Sequence, residues 1–294
     1  MSEKAEASPW LFWGPTLIWA STWHVILFQL DSGVPVLNSV AWRFGLAALM
    51  LAALARSRGE SLRLPLPAHG VMLAAGVIQY SGNYWSVYEA EAHIPSGLVA
   101  VLFSLMVFGN ALSGRVFFGQ QVSQRFLFAA CGGVVGVAMI FWPEIAATGA
   151  RPTAGYGLLI GLAAVLAACI GNVLTLILTR RGLALMPVLA WSMGYGSVFL
   201  ALVSEASGTG LHFAWTPAYC LSLLYLAVFG SVIAFVLYFK LAQARGTAAA
   251  ALTSVIIPVI ALGISALFEG WQPTVLSVLG MALSLSSLWV ATRR

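Results

Sequence analysis

Residues 154–179 read AGYGLLIGLAAVLAACIGNVLTLILT, a stretch without a charged side chain or a proline. Apolar residues occupy every face of the helix this sequence would form, whereas a surface helix of a soluble protein keeps one polar side. Its length exceeds the roughly 20 residues needed to cross the hydrocarbon of a bilayer. Arg180 and Arg181 close it on one side, and Arg151 and Pro152 precede it on the other. Working outward, comparable runs fall near 10–30, 34–55, 68–88, 95–117, 122–142, 184–204, 216–239, 246–268 and 273–292. They are apolar throughout and do not alternate in ten-residue blocks, which excludes an outer-membrane barrel. Helices satisfy their own backbone hydrogen bonds, so ten membrane helices are the form such runs take in lipid.

The composition agrees. Of 294 residues 61% are apolar and 8% charged, with a mean hydropathy of +0.94. A soluble domain carries about a quarter charged residues. No polar stretch is long enough to make a separate soluble domain. Cys131, Cys169 and Cys220 all lie in apolar runs without metal-ligand spacing and read as small buried residues, with no disulfide and no metal site. Glu3, Lys4 and Glu6 do not make the basic start of a cleaved signal peptide, so the first run is expected to be retained as a helix.

The net charge of +5 reflects topology and gives no case for nucleic acid. With the N-terminus inside, Lys4, Arg56, Arg58, Arg63, Arg115, Arg125, Arg180, Arg181, Lys240, Arg245, Arg293 and Arg294 all fall on the cytoplasmic side. The outer side receives only Arg151, and Arg43 lies within a span. By the positive-inside rule both termini face the cytoplasm. The ten helices divide into two fives, residues 1–150 and 151–294. A shift of 151 positions sets Gly119-Gln120-Gln121 on Gly270-Trp271-Gln272, and Ala129 and Gly133 on Gly280 and Ser284. An odd number of helices per half forces opposite orientations. The expected architecture is therefore all-α, with two inverted five-helix repeats, an arrangement typical of secondary transporters.

The segments PSGLVAVLFSLMVFGNALSGRVFFGQ (95–120) and GTAAAALTSVIIPVIALGISALFEGWQ (246–272) resemble the drug/metabolite transporter superfamily, specifically its ten-helix EamA-type exporters. LIWASTW (17–23), Arg43, NYWSVYEAEAHIPSG (83–97), Asn172, Pro258 and Glu269 extend the resemblance over nearly the whole chain. The first repeat departs from the pattern, with Val107 and Phe118 where the second has Pro258 and Glu269. Within the superfamily the chain is most similar to YddG-type exporters of aromatic and other amino acids. That resemblance implies a multi-pass protein of the bacterial inner membrane. It also implies a bundle with a central cavity bounded mainly by helices 1, 3, 4, 6, 8 and 9, worked by alternating access.

Several side chains suit such a cavity. Trp19 and Trp23 lie one turn apart and share a face, where they could form an aromatic wall or meet lipid. In the third run Gln79 and Asn83 form one row, and Tyr80, Tyr84 and Tyr88 form the adjacent one. Amides in hydrocarbon need partners, supplied by another helix or by a solvated cavity. Tyr and Trp offer apolar area with a polar tip, which suits cargo having an apolar side chain and charged ends. Asn110 and Asn172 are similar candidates, with helix packing as the competing role, and Phe103 completes the cavity set. Arg43 is expected to be structural, capping carbonyls or snorkelling toward the cytoplasmic side.

No carboxylate lies mid-span, whereas the small multidrug antiporters of the same superfamily depend on a membrane-embedded glutamate. Multidrug efflux is therefore the secondary reading. A membrane-embedded enzyme would need clustered catalytic groups, and His24, His69, His93 and His212 are scattered. The expected function is export of amino acids and related small metabolites. No cofactor is expected, the partners are the cargo and the lipid bilayer, and the expected form is a monomer.

Overall fold

The computed structural model describes residues 8–91, 93–94, 96–148, 153–268 and 273–292. Lys4, Arg151, Arg293 and Arg294 among the basic residues that set the orientation, Glu269 of the family resemblance, and Gly270, Trp271 and Gln272 of the repeat shift lie outside the described residues. Among those described there are ten long helical runs, one short one and no strand. They are α1 (Trp10–Leu30), α2 (Val36–Ser57), α3 (66–91), α4 (96–118), α5 (Gln124–Ile140), α6 (Ala154–Arg180), α7 (Leu185–Ala206), α8 (Pro217–Arg245), α9 (247–268) and α10 (Val275–Thr292). A short helix, Trp142–Thr148, follows α5. Seven of the runs contain a helix long and apolar enough to cross a membrane, α5 and α10 are shorter and apolar, and α3 is the polar-aromatic one.

Local chemistry sets the ends. Pro35 and Pro65 stand extended immediately before α2 and α3, where a residue lacking an N–H costs the helix nothing. Ser123, Thr216 and Thr274 cap α5, α8 and α10 through hydroxyls that accept from the backbone N–H three residues on. Gly119 ends α4 at φ +62°, a left-handed turn that a residue with a Cβ rarely adopts.

The contacts divide the chain into two compact units that interleave its halves. The first contains Met1–Ser21, Glu89–Val165 and Leu237–Arg294; the second contains Thr22–Tyr88 and Leu166–Val236. In the first, α5 packs antiparallel on α10 through small residues. A Cβ on Gly136 would stand 2.6 Å from the Gly280 carbonyl oxygen and closer still to the Ser284 hydroxyl. Ser284 Oγ donates to the Gly133 carbonyl (3.2 Å), and Gly132 faces Ser287. The closest approach is at Gly136. A Cβ on Gly133 would meet Val255 of α9.

In the second unit α2 packs antiparallel on α7. Ser197 Oγ donates to the Ala41 carbonyl (2.8 Å), Gly45 faces Ser197, and Gly194 faces Ala48. Trp42 of α2 donates its indole N–H to the His212 carbonyl, and Trp191 of α7 donates to the Leu62 carbonyl, each at 2.9 Å. Both tryptophans are the seventh residue of their helix. The second helix of each repeat thus ties down the loop leading into the third helix of the other. Antiparallel pairing of α2 with α7 and of α5 with α10 is what an inverted repeat produces.

Candidate substrate site

The third helix of each repeat carries a π-helical segment, Ile78–Gly82 in α3 and Leu226–Ile233 in α8. A π turn takes in an extra residue and interrupts the regular ladder, and such turns recur at functional sites. A serine back-bonds five residues in each: Ser81 Oγ to the Gly76 carbonyl (3.2 Å) and Ser231 Oγ to the Leu226 carbonyl (3.0 Å). Each serine also reaches the second helix of the other repeat. Ser81 Oγ meets the Gly196 carbonyl of α7 at 3.0 Å, and Ser231 Oγ accepts from Arg43 Nε of α2 at 2.9 Å.

The surroundings of the two segments differ. Around Ser81 backbone meets backbone: a Cβ on Gly76 would lie 2.9 Å from the Gly196 nitrogen, and one on Gly196 would lie 2.7 Å from the Gly76 carbonyl oxygen. Tyr80, fully buried, fills the next position, its ring 5.1 Å from Phe44 and 5.3 Å from Phe235. Around Ser231 the next position is Gly230, which leaves room for the arginine. A Cβ there would stand 3.1 Å from Arg43 Nη2. The guanidinium lies 5.4 Å from the centre of the Phe44 ring and 5.2 Å from that of Tyr84, within cation–π range.

Where α3 meets α6 the helices close on a glycine, and a Cβ on Gly171 would collide with the Gln79 side chain. The Tyr80 hydroxyl is beside Thr175, one turn further along α6. The Gln79, Tyr80 and Thr175 side chains are all buried: the Tyr80 and Thr175 hydroxyls face each other, and Gln79 Oε1 makes no hydrogen bond among the described residues. Leaving such a group unpaired costs about 1–3 kcal/mol. Asn83 and Asn172 are buried at 5% and 2% exposure on the same two helices.

The second unit therefore collects Tyr80, Asn83, Tyr84 and Asn172. Trp19 and Phe103 belong to the first unit, both half-buried, with the Trp19 ring 5.4 Å from that of Tyr238. The side chain of Trp23 lies outside the described residues. Asn110 bonds back to the Met106 carbonyl, while its own carbonyl accepts from Thr247 Oγ1, so its surroundings are those of packing. Arg43 does not snorkel. It sits two turns from the start of α2, is 4% exposed, and bonds a serine hydroxyl where capping of carbonyls was expected. Ser81, Thr175, Gly196, Gly230 and Ser231 escape the sequence reading, because no residue pattern marks a π turn. The mid-helix glycines Gly76 and Gly230 are the signal that could have drawn attention to it.

Ten long helical runs among the described residues, nine of them apolar, together with a buried polar-aromatic cluster, fit a multi-pass membrane transporter. The EamA-like transporter family matches residues 9–142 and again 155–293, and the chain belongs to that family. It is similar to a probable terminal-alkyne amino-acid exporter of Streptantibioticus cattleyicolor, 25% identical over 293 residues that cover 99% of this chain and 95% of that one. It is also similar to YicL, an uncharacterized inner membrane transporter of Salmonella typhimurium, 36% identical over 103 residues, or 35% of this chain and 34% of the relative. A solved crystal structure shares the fold, with a TM-score of 0.76 at 19% identity, covering 96% of this chain and 95% of the other. The protein is a multi-pass protein of the inner membrane.

Proposed function

We propose that this protein exports amino acids, aromatic and other apolar ones foremost, by alternating access through a path that includes Tyr80, Asn83, Tyr84 and Asn172. The observation that carries this reading is the buried seam between α3 and α6. There the Tyr80 and Thr175 hydroxyls lie side by side, and Gln79 Oε1 has no hydrogen-bond partner among the described residues, all next to aromatic rings. Polar atoms left open in hydrocarbon are expensive, and cargo with charged ends and an apolar side chain would satisfy both kinds of surface. The similarity to an exporter named for amino acids supports the same class. Trp19, Trp23 and Phe103 are proposed to complete the path.

The proposed working form is a monomer built from the repeats 1–150 and 151–294, and no chemistry on the cargo is invoked. Basic residues orient both termini toward the cytoplasm. Cysteines placed at Ser57 and Thr209 should accordingly label from opposite faces, and labelling from one face would overturn the orientation. Multidrug efflux remains the alternative within the family. The described carboxylates of Asp31, Glu60, Glu89 and Glu205 stand at or beyond helix ends, which favours amino acids over cationic drugs.

Cells expressing the chain and fed a phenylalanine-containing dipeptide should release phenylalanine at least several-fold faster than cells lacking it. Asn83→Ala should abolish that gain at equal membrane abundance. Equal release with and without the protein, across a panel of dipeptides, would contradict amino-acid export.

A further inference from the structure

Arg43 is the one basic side chain buried among the described residues, and the structure gives it little to do there. Its Nε donates to Ser231 Oγ. Nη1 and Nη2 donate no hydrogen bond to any described residue, and no described carboxylate pairs with the group. A charged group inside a span is costly and is ordinarily paired or functional. Closing the π segment does not require it, since the matching segment of α3 closes Ser81 on the Gly196 carbonyl with no charge present. In the second repeat the corresponding stretch of α7 reads Ser192-Met193-Gly194, without a basic residue.

We propose that Arg43 is the carboxylate-recognition group of the transport path, its Nη1 and Nη2 gripping the α-carboxylate of the cargo. Ser231 holds Nε, which leaves Nη1 and Nη2 without a hydrogen-bond partner among the described residues, and the guanidinium lies beside the Phe44 and Tyr84 rings. Gly230 supplies the space in which Nη2 lies. Tyr84, beside the guanidinium, remains partly accessible. The assignment rests on the amino-acid reading and adds the residue that selects for an acid end.

The test is transport by the full-length protein in liposomes, comparing L-phenylalanine with L-phenylalaninamide, which keeps the ring and the amine but lacks the carboxylate. Wild type should prefer the acid at least tenfold in KM. Arg43→Gln should raise the KM for phenylalanine at least tenfold, leave that for the amide within threefold, and so erase the preference. Arg43→Lys, which retains charge without the fork, should recover it only in part. Should the Arg43 variants fail to fold, Ser231→Ala, which frees Nε, should raise the KM for phenylalanine about threefold and spare the amide. The proposal is overturned by equal wild-type handling of the two probes, or by an unchanged acid preference in Arg43→Gln or, in its place, Ser231→Ala. If neither probe is carried by wild type while other amino acids are, the same acid–amide comparison on a carried one decides. If no amino acid is carried, the amino-acid reading fails and takes this inference with it.

Discussion

The π segment of α3 and that of α8 occupy matching places in the two repeats and use the same device, a serine bonded five residues back, yet they pack against opposite kinds of neighbour. In α3 the serine rests on a glycine carbonyl, and the two helices interlock backbone to backbone through Gly76 and Gly196. In α8 it holds a guanidinium, and a glycine stands where α3 has Tyr80. A fold duplicated in inverse is free to keep one copy of a feature as scaffold and to load the other with chemistry. The rigid copy tolerates no added atom, while the charged copy borders a long side chain whose end can move.

That contrast can be tested by adding a single methyl to each copy. Gly76→Ala should have the largest effect. Its Cβ would press on the Ser192 carbonyl and on the Gly196 nitrogen at 2.9 Å, backbone that cannot yield, and the loss should be about 3 kcal/mol of stability. Thermal unfolding of the purified protein in detergent would read this as a large fall in midpoint or as failure to accumulate. Gly230→Ala should have the smaller effect on stability, under about 1 kcal/mol, because its Cβ meets Thr22 Cγ2 at 3.0 Å and the movable Nη2 of Arg43 at 3.1 Å. Transport should nevertheless fall several-fold, since the guanidinium is displaced. Equal destabilisation by the two substitutions, with transport by the surviving Gly230→Ala protein unchanged, would erase the proposed division of labour.

Much of the fold is legible in the residues, because lipid imposes one rule on every span. The ten runs are found within a few residues of their observed ends, the largest difference being α8, which continues to Arg245. The small-residue strips of α5 and α10 also meet, since between apolar helices close contact depends on glycine and serine. The polar row of α3 is visible for a related reason: Gln79 and Asn83 stand out in hydrocarbon, and both are buried. The π turns are not legible. Inserting one residue into α8, which is apolar on all sides around the turn, leaves its pattern intact, and the partners the two turns select, Gly196 for Ser81 and Arg43 for Ser231, lie more than a hundred residues away. Snorkelling for Arg43 fails on the same ground, because the sequence shows the charge and not the hydroxyl that α8 turns toward it.

Amino-acid export is read most directly by counterflow with the purified protein in liposomes preloaded with unlabelled amino acids. Labelled phenylalanine should accumulate transiently in vesicles loaded with phenylalanine, tyrosine or leucine and not in empty ones. Asn83→Ala, folded and inserted to the same extent, should reduce the initial rate at least tenfold. Accumulation with none of the amino acids, together with exchange of a lipophilic cation such as tetraphenylphosphonium, would contradict amino-acid export and point to the multidrug alternative.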